Sequence, residues 1–311
     1  MTTLRLVVAS TTEIATGIRE ITFVRPDGGV LPSHPAGSHI VVEAGDQRNA
    51  YSLTNPGARP RRYSVAVLLR PDGNGGSRAL HDLRPGAEVV VSPPRSAFPP
   101  VATARRHLLV AGGIGITPML AHAREALRWG REAELLYVHR PEAAAFGSTV
   151  DDLLGPRAHR TTDRAEFGRL LGKLLGGAPI GTHLYVCGPT ALMDHVLDTA
   201  AGLGWPAERL HSERFTPAEL EPGRPFTARL ARSGRDVKVG PGTSLLDALL
   251  AEGVPVPSMC RQGVCGECRV PVLSGRPSHR DEYLDDDERA AGTAVMCCVS
   301  RSETDLLEVD L

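Results

Sequence analysis

Three cysteines near the C-terminal end of the chain have the spacing C-x4-C-x2-C, and two adjacent cysteines follow about thirty residues later. They are Cys260, Cys265 and Cys268, followed by Cys297 and Cys298. This spacing, with a fourth cysteine far downstream, is typical of the ligands of a plant-type [2Fe–2S] cluster. Thiolates suit this role because the iron of such clusters takes soft sulfur ligands. Any fold of this chain must therefore accommodate a loop wrapped around an iron–sulfur cluster.

The residues between these cysteines support the same interpretation. Gly263 and Gly266 suit a loop that needs positive φ angles and close backbone approach to a cluster. A structural zinc site usually repeats a C-x2-C pair on both sides, and no second C-x2-C pair follows here. Disulfides would need an oxidising compartment, which nothing in the sequence indicates. Zinc remains the main alternative to the iron–sulfur interpretation.

The fourth ligand is ambiguous on chemistry alone, because Cys297 and Cys298 are adjacent and either one has the right donor atom. The run Val-Met-Cys-Cys-Val-Ser-Arg at 295–301 resembles the C-V-S-R ending of ferredoxin domains that are fused to oxygenase reductases. That resemblance implies that Cys298 is the ligand and that Cys297 is a small buried neighbour.

Length and composition indicate a globular protein of two or three domains, with 311 residues and 41% hydrophobic residues. A net charge of −1 argues against nucleic-acid binding. The N-terminus has no hydrophobic signal-peptide core, and the longest apolar stretch, 108–121, is too short and too rich in Gly and Pro to span a bilayer. We therefore expect a cytoplasmic protein with no membrane partner.

Short alternating strands divided by turn residues occupy residues 4–102. The clearest are 18–24, 39–42, 63–69 and 88–91, and this density of short strands predicts a small antiparallel barrel. From 105 to 216 strands and helices alternate, which predicts a mostly parallel sheet that binds ligands at the carboxyl ends of its strands.

Two loops of this α/β region follow strands directly. The first contains Gly112, Gly113, Ile114 and Gly115 and leads through Thr117 to a helix, but Pro118 replaces the third glycine of the dinucleotide fingerprint. Taken alone, an ordinary strand-to-helix turn explains this loop equally well. The second loop, Cys187-Gly188-Pro189, also opens a helix.

The C-terminal region has its own strand and helix order. A polar, Pro-containing segment at 219–225 is the best linker candidate, and a hairpin at 226–230 and 237–239 follows it. Ser244 is placed to cap a helix that precedes the cysteine loop. This order is that of a β-grasp ferredoxin. The acidic run 285–288 predicts a helix start, with a docking surface as the alternative.

Several motifs of the first two regions resemble ferredoxin-reductase flavoproteins. The run at 48–53 resembles the R-x-Y-S motif, although Arg48 stands three residues before Tyr51 and Asn49 occupies the usual arginine position. The resemblance implies that Tyr51 packs on the isoalloxazine and that the region of Ser52 binds its edge. It also implies that the Gly-Gly-Ser turn at 75–77 binds a single flavin phosphate, which favours FMN over FAD.

The nicotinamide domain of the same enzymes is similar to this α/β region. The shared segments are V-A-G-G-I-G-I-T-P-M, C-G-P and the tail H-S-E-R-F. The resemblance implies that Thr117 lies between pyridine nucleotide and flavin, that Cys187 lies beside the nicotinamide, and that Phe215 covers the flavin.

The order of flavin barrel, nicotinamide domain and C-terminal ferredoxin resembles the phthalate dioxygenase reductase and vanillate demethylase reductase family. We accordingly predict a flavin domain at 1–103, an NAD domain at 104–218, a linker at 219–225 and a ferredoxin domain at 226–311. The predicted cofactor-binding residues are Arg48, Asn49, Tyr51, Ser52, Leu53, Ala66, Val67, Leu68, Gly75, Gly76, Ser77, Gly112, Gly113, Ile114, Gly115, Pro118, Met119, Arg140, Gly188 and Pro189.

The resemblance implies an NADH-dependent reductase that carries FMN and a [2Fe–2S] cluster and that supplies a separate terminal oxygenase of the Rieske type. A cytochrome P450 or a diiron monooxygenase is an alternative acceptor, and a redox sensor is an alternative function. The acidic residue expected at the end of the second strand of a dinucleotide fold is replaced by His139-Arg140. Arg140 would meet either a 2′-phosphate or the pyrophosphate, and the family favours NADH.

Overall fold

The computed structural model describes residues 3–44, 47–72, 75–96, 98–215, 222–258, 261, 263, 266–281 and 283–311. The chain forms two compact units, Met1–Phe215 and Thr216–Leu311. The limit predicted at 103/104 falls inside the first unit, and most of the predicted linker 219–225 lies outside the described residues. No helix among the described residues is long and apolar enough to cross a bilayer.

The first half of the first unit is an antiparallel barrel, as predicted. Its elements are β1 (Leu4–Ala15), β2 (Ile18–Val24), β3 (Ser38–Ala44), β4 (Gln47–Ser52), β5 (Arg62–Leu68), α1 (Gly76–Asp82), β6 (Glu88–Val91) and β7 (Arg95–Ser96). The strand order is β4-β3-β6-β1-β2-β5, with β7 beside β3. An antiparallel bridge between Leu53 and Val65 joins the two outer strands and closes the barrel. This closure brings the end of β4 beside β5.

The second half is a parallel sheet covered by helices. Its elements are β8 (Arg106–Gly112), α2 (Ile116–Arg128), β9 (Glu132–Val138), α3 (Gly147–Leu154), β10 (Ala158–Thr161), α4 (Arg164–Gly176), β11 (Thr182–Cys187), α5 (Thr190–Gly202) and β12 (Leu210–Glu213). The strand order is β10-β9-β8-β11-β12, and every pair is parallel. The order reverses between β8 and β11, which is where such sheets bind ligands.

Helix α2 begins earlier than the sequence predicts. Thr117, Pro118 and Met119 lie in its first turn and not in the preceding loop. Proline is tolerated there because the first N–H groups of a helix have no intrahelical acceptor.

Strand β8 shows how the sheet is buried on both faces. Leu109 and Ala111 pack in one apolar cluster, whereas Leu108 and Val110 pack in another on the opposite face. The first cluster also contains Ile18 and other residues of the barrel. This shared apolar core explains why barrel and sheet form one compact unit.

The second unit is a mixed sheet with the strand order β14-β13-β19-β15-β17. Its elements are β13 (Phe226–Leu230), β14 (Asp236–Val239), α6 (Leu245–Ala251), β15 (Arg269–Ser274), β16 (Pro277–Ser278), α7 (Asp286–Ala291), β17 (Ala294–Met296), β18 (Arg301–Ser302) and β19 (Leu306–Val309). β13 and β19 are parallel, and the other pairs are antiparallel.

Two helix starts that the sequence predicts are confirmed in this unit. The Ser244 hydroxyl accepts from the Asp247 amide at 2.9 Å and caps α6. Asp285 and Glu288 form a reciprocal capping box at the start of α7, so the acidic run begins a helix.

Candidate functional site

The two loops at the point where the strand order reverses are packed backbone against backbone. A Cβ on Gly115 would lie 2.1 Å from the backbone oxygen of Cys187, and one on Gly188 would lie 3.0 Å from Cα of Gly112. Gly113 has a φ of 54°. Only glycine permits this approach, so the loops after β8 and β11 form one continuous wall.

Thr117 is anchored in the first turn of α2, two residues after Gly115. It is buried, and its Oγ1 donates to the backbone oxygen of Ile114 at 3.1 Å. Arg140 is exposed, and it follows β9 at the same edge of the sheet. Pro189 stands immediately before α5. The structure thus brings the predicted nucleotide-binding residues to one edge of one sheet.

Sheet register places Cys187 beside two further residues. Cys187 pairs with Ala111 of β8 on one side and with Glu213 of β12 on the other. The Ser52 hydroxyl donates to Oε2 of Glu213 at 3.4 Å, which links the barrel to the sheet. This contact brings the residue implied at the flavin edge, Ser52, to the strand that pairs with β11.

Burial controls the protonation of this group of side chains. It raises the pKa of Glu213 to about 8, against a smaller opposing effect of the Ser52 hydrogen bond. It also raises the pKa of the Cys187 thiol, and the neighbouring Glu213 adds to that effect. At neutral pH the pair is therefore a neutral thiol and a carboxylic acid, and the acid can hold and exchange a proton beside Ser52.

Glu213 is not among the predicted site residues, although it lies in the H-S-E-R-F tail. An acidic residue at the carboxyl end of the last strand of a parallel sheet was the available signal. Phe215, which was singled out from the same tail, is 42% exposed.

The Glu213 carboxyl predicts a measurable pH dependence of stability. Its pKa is about 8 in the folded chain, whereas a glutamate in an unfolded chain ionises near 4.3. The stability that it contributes is complete below the unfolded value and is lost as pH rises through about 8. At pH 9 we expect Glu213→Gln to have a free energy of unfolding about 1–2 kcal/mol higher than that of the wild type, because glutamine carries no charge to bury. The figure is discounted for solvent screening, since the Glu213 side chain is partly exposed. At about pH 4, where the carboxyl is mostly protonated in both states, this advantage should vanish.

Glu208→Gln is the matched control, since Glu208 is a glutamate that is exposed just before β12. Its melting difference from the wild type should not change between about pH 4 and pH 9. A Glu213→Gln difference that is equally flat would contradict the raised pKa.

The predicted flavin-contact residues of the barrel lie on β4 and β5, which the closure brings together. Tyr51 is half-buried, its burial raises its pKa, and its hydroxyl accepts from Nδ2 of Asn49 at 3.5 Å. Arg48 forms a 3.1 Å ion pair with Glu43. Leu53 bridges to β5, whose end carries the remaining predicted contacts, Ala66, Val67 and Leu68.

The Gly-Gly-Ser turn leads into α1 as predicted. Gly75 has a φ of 91°, and Gly76 and Ser77 are buried in the first turn of the helix. The Ser77 hydroxyl accepts from the Arg70 amide at 3.0 Å, which ties the turn to the end of β5. Within the described part of the chain this helix start has no side-chain cap.

The cysteine motif is described in part. Cys260 and Cys265 lie outside the described residues. The sulfurs of Cys268 and Cys298 are 3.0 Å apart, and both side chains are buried. The Cys297 thiol instead donates to the backbone oxygen of Cys268 at 2.9 Å. The described half of the motif therefore presents two neighbouring sulfurs, an arrangement that fits a cluster with soft sulfur ligands. Cys298 contributes to this sulfur pair, whereas Cys297 does not.

Both glycines of the motif are required where they stand. Gly263 and Gly266 have φ values of 76° and 79°. A Cβ on Gly263 would lie 2.6 Å from Cγ2 of Val299, and one on Gly266 would lie 2.4 Å from the Tyr283 ring. The loop thus packs closely against the segments on either side of α7, as a tight cluster loop requires.

The chain after Cys298 is fixed by buried polar groups. The Asp281 carboxylate is buried and accepts from the Ser300 hydroxyl at 2.8 Å and the Leu284 amide at 3.0 Å. Arg301 is 2% exposed and donates to the backbone oxygens of Thr243 and Gly240. These bonds fix the backbone that follows Cys298.

Two parts of the chain match described protein families. Residues 88–210 match the family "Dimethylamine monooxygenase subunit DmmA-like, N-terminal domain". Residues 228–303 match the family "2Fe-2S iron-sulfur cluster binding domain". All the cysteines of the motif lie within the second match.

Similar proteins cover nearly the whole chain. It is 44% identical to the heme-dependent oxidative N-demethylase beta subunit of Ectopseudomonas mendocina (strain ymp), over 94% of each chain. It is 38% identical to the phthalate dioxygenase reductase of Burkholderia cepacia, over 99% of this chain and 97% of the relative. A solved structure is described as "Phthalate dioxygenase reductase: a modular structure for electron transfer from pyridine nucleotides to [2Fe-2S]". It matches with a TM-score of 0.72 at 37% identity and covers 99% of this chain and 98% of its own.

Proposed function

Since this chain belongs to the family of oxygenase reductases that includes phthalate dioxygenase reductase, we propose that it transfers electrons from NADH, through FMN and a [2Fe–2S] cluster, to a separate terminal oxygenase. One observation carries this proposal. The similarity extends over 99% of the chain, and so includes the barrel, the parallel sheet and the cysteine motif in the same order.

The three groups have complementary electron chemistry. A nicotinamide releases two electrons as a hydride, a [2Fe–2S] cluster accepts one at a time, and a flavin exchanges electrons in either number. The protein's task is to bind and orient these groups, and no acid–base side chain is required for the hydride step.

The residues around the two strand-end loops support the nucleotide role. The close packing of Gly115 against Cys187 provides the surface that we assign to the nicotinamide, with Thr117 at the adjoining start of α2. Cys187 is neutral, so it places no charge against the ring. The Ser52–Glu213 pair is placed to hold a proton at the flavin edge.

The barrel supports FMN as the flavin. Tyr51 and Ser52 on β4, with the end of β5, form the surface for the isoalloxazine. The turn at 75–77 offers backbone N–H groups to one phosphate, for which FMN suffices.

NADH is the proposed donor. Arg140 lies exposed after β9, where the acidic residue of a ribose-binding strand end would otherwise stand. We assign it to the pyrophosphate and follow the family in proposing NADH. Comparing initial rates with NADH and NADPH tests this assignment, and a preference for NADPH would reassign Arg140 to the 2′-phosphate.

The acceptor is a terminal oxygenase, and the sequence predicts the Rieske non-haem iron type. A second candidate is a haem-containing oxygenase, because the relative named as a heme-dependent oxidative N-demethylase subunit is 44% identical over 94% of this chain. Supplying the reduced protein with one purified oxygenase of each type, and following substrate-dependent NADH consumption, distinguishes the two.

The direct test is reduction by NADH of the protein loaded with FMN and cluster, under anaerobic conditions. We expect rapid bleaching of the flavin and cluster absorbance, and rapid NADH-dependent reduction of cytochrome c. A loaded protein that reduces cytochrome c only slowly would contradict the reductase and favour the redox sensor. A colourless C-terminal fragment that contains zinc would leave only a flavin reductase.

A further inference from the structure

A cleft of about 590 Å³ opens in the first unit between the barrel and the α/β sheet. None of the residues assigned to flavin or nucleotide lines it. The volume lies within the usual range of small-molecule sites, about 300–1,000 Å³. The cleft is therefore a candidate site that the reductase function does not use.

Two arginines face this cleft from opposite sides. Arg62 lies at the start of β5 in the barrel, and Arg124 lies on α2 beside the sheet. Arg124 also donates to the backbone oxygen of Thr54. Within the described ranges, neither guanidinium forms a salt bridge with a carboxylate. Arg62 and the remaining donors of Arg124 can thus contact an anionic ligand, and arginine suits carboxylate and phosphate groups because its donors form a planar fork.

The start of α3 reaches the same cleft. Ser148 and Thr149 line it, in the first turn of an eight-residue helix that has no side-chain cap. The first amides of a helix have no intrahelical acceptor, and that end of the helix carries partial positive charge. Three elements therefore direct positive charge or N–H donors into one cavity.

Glu20 of β2 adds one negative charge to the lining. Both arginines are close enough to lower the pKa of its carboxyl, although burial, the larger effect, raises it. A ligand with negative charge alone would be repelled by Glu20. A hydroxyl or an ammonium group on the ligand would instead donate to it.

We infer that this cleft binds a small organic acid that carries a hydroxyl or ammonium group. Its carboxylate contacts Arg62, Arg124 and the start of α3, and its donor group contacts Glu20. Because one wall belongs to the barrel and the other to the sheet, the ligand holds the two halves of the first unit together. Binding therefore stabilises the folded protein by mass action.

Thermal melting of the flavin-loaded protein with L-malate as the probe tests this inference. For a ligand of about millimolar affinity, we expect about 20 mM malate at constant ionic strength to raise the melting temperature by about 2–4 °C. Succinate, which lacks the hydroxyl, should produce less than half of that rise. No rise with malate would overturn the inference, and an equal rise with succinate would remove the role of Glu20.

Two neighbouring arginines provide a matched pair of variants. Arg62→Gln should abolish the response to malate, whereas Arg61→Gln should retain it. Arg61 is exposed, donates to the backbone oxygen of Gly28 and does not line the cleft. Equal responses from the two variants would contradict the site, and would place the malate at another anion-binding surface such as the nucleotide loops.

Ser148→Glu is a second variant that should fold well, because a carboxylate in the first turn stabilises a helix. Ser148 is exposed, so its replacement creates no packing conflict. The new carboxylate should occupy the anion position, raise the melting temperature without ligand and remove the response to malate. A full response in this variant would contradict the assigned position of the ligand carboxylate.

Discussion

Cys298→Ala should eliminate the iron–sulfur cluster. The Cys298 sulfur lies 3.0 Å from that of Cys268 in a buried site, so its removal leaves an incomplete ligand set. Even losing an outer-shell partner typically costs 10–100-fold in metal affinity, and losing a direct ligand should cost more than about a hundredfold. Iron, acid-labile sulfide and the visible cluster spectrum should all be absent. Reduction of cytochrome c should fall to background, whereas NADH-dependent reduction of ferricyanide by the flavin should persist.

Cys297→Ala is the control for that result. Its thiol donates to the backbone oxygen of Cys268, so its replacement removes one hydrogen bond and a small volume. This variant should retain its iron, its spectrum and its cytochrome c reduction. Loss of the cluster in Cys297→Ala, with retention in Cys298→Ala, would reverse the assignment of the fourth ligand.

Gly115→Ala should disrupt nucleotide binding. The added Cβ would lie 2.1 Å from the backbone oxygen of Cys187, so one of the two loops must move. Overpacking of this kind costs about 1–3 kcal/mol of stability. A displacement near 1 Å at a site that stacks a donor against an acceptor costs about a hundredfold in rate. We expect kcat/KM for NADH to fall by about 10–100-fold, and the melting temperature to fall as well.

Gly168→Ala provides the comparison. Gly168 lies within α4, and an added Cβ would meet no atom within 4 Å. Replacing an exposed helical glycine by alanine stabilises a helix by about 0.5–1 kcal/mol. This variant should melt slightly higher and keep its kcat/KM for NADH. A Gly115→Ala enzyme with wild-type kinetics would show that the two loops do not form the nucleotide wall.

The element types were predictable because their signals are local. Hydrophobic alternation predicts the barrel strands, the helix caps at Ser244 and Asp285 are visible as short motifs, and both were confirmed. The helix α2 begins earlier in the structure than the sequence predicts. Proline usually indicates a helix boundary, and Pro118 is compatible with the helix only because it lies in the first turn.

Contacts between distant elements carry no such signal. The Ser52–Glu213 hydrogen bond joins residues that are 161 positions apart. Around Tyr185, the rings of His107, His122 and His211 lie within 5.2 Å between centroids, from three other elements. Each pairing follows from strand register and helix packing, which depend on the whole core.

The choice between the two adjacent cysteines also could not be predicted from local sequence signals. Spacing alone allows either Cys297 or Cys298 as the ligand, and neighbouring side chains diverge only when the backbone path is known. In the fold, the Cys297 thiol donates to the backbone oxygen of Cys268, whereas the Cys298 sulfur contacts the Cys268 sulfur.

By itself, the sequence determined the cysteine motif, the two glycine-containing strand-end loops and the order of the three regions. These features depend only on the spacing of residues along the chain, which covalent connectivity fixes. Tertiary structure decided which carboxyl meets Ser52, which cysteine faces the sulfur site and which arginines line the cleft. Those are distances through space, and they exist only after apolar burial has set the register of each sheet.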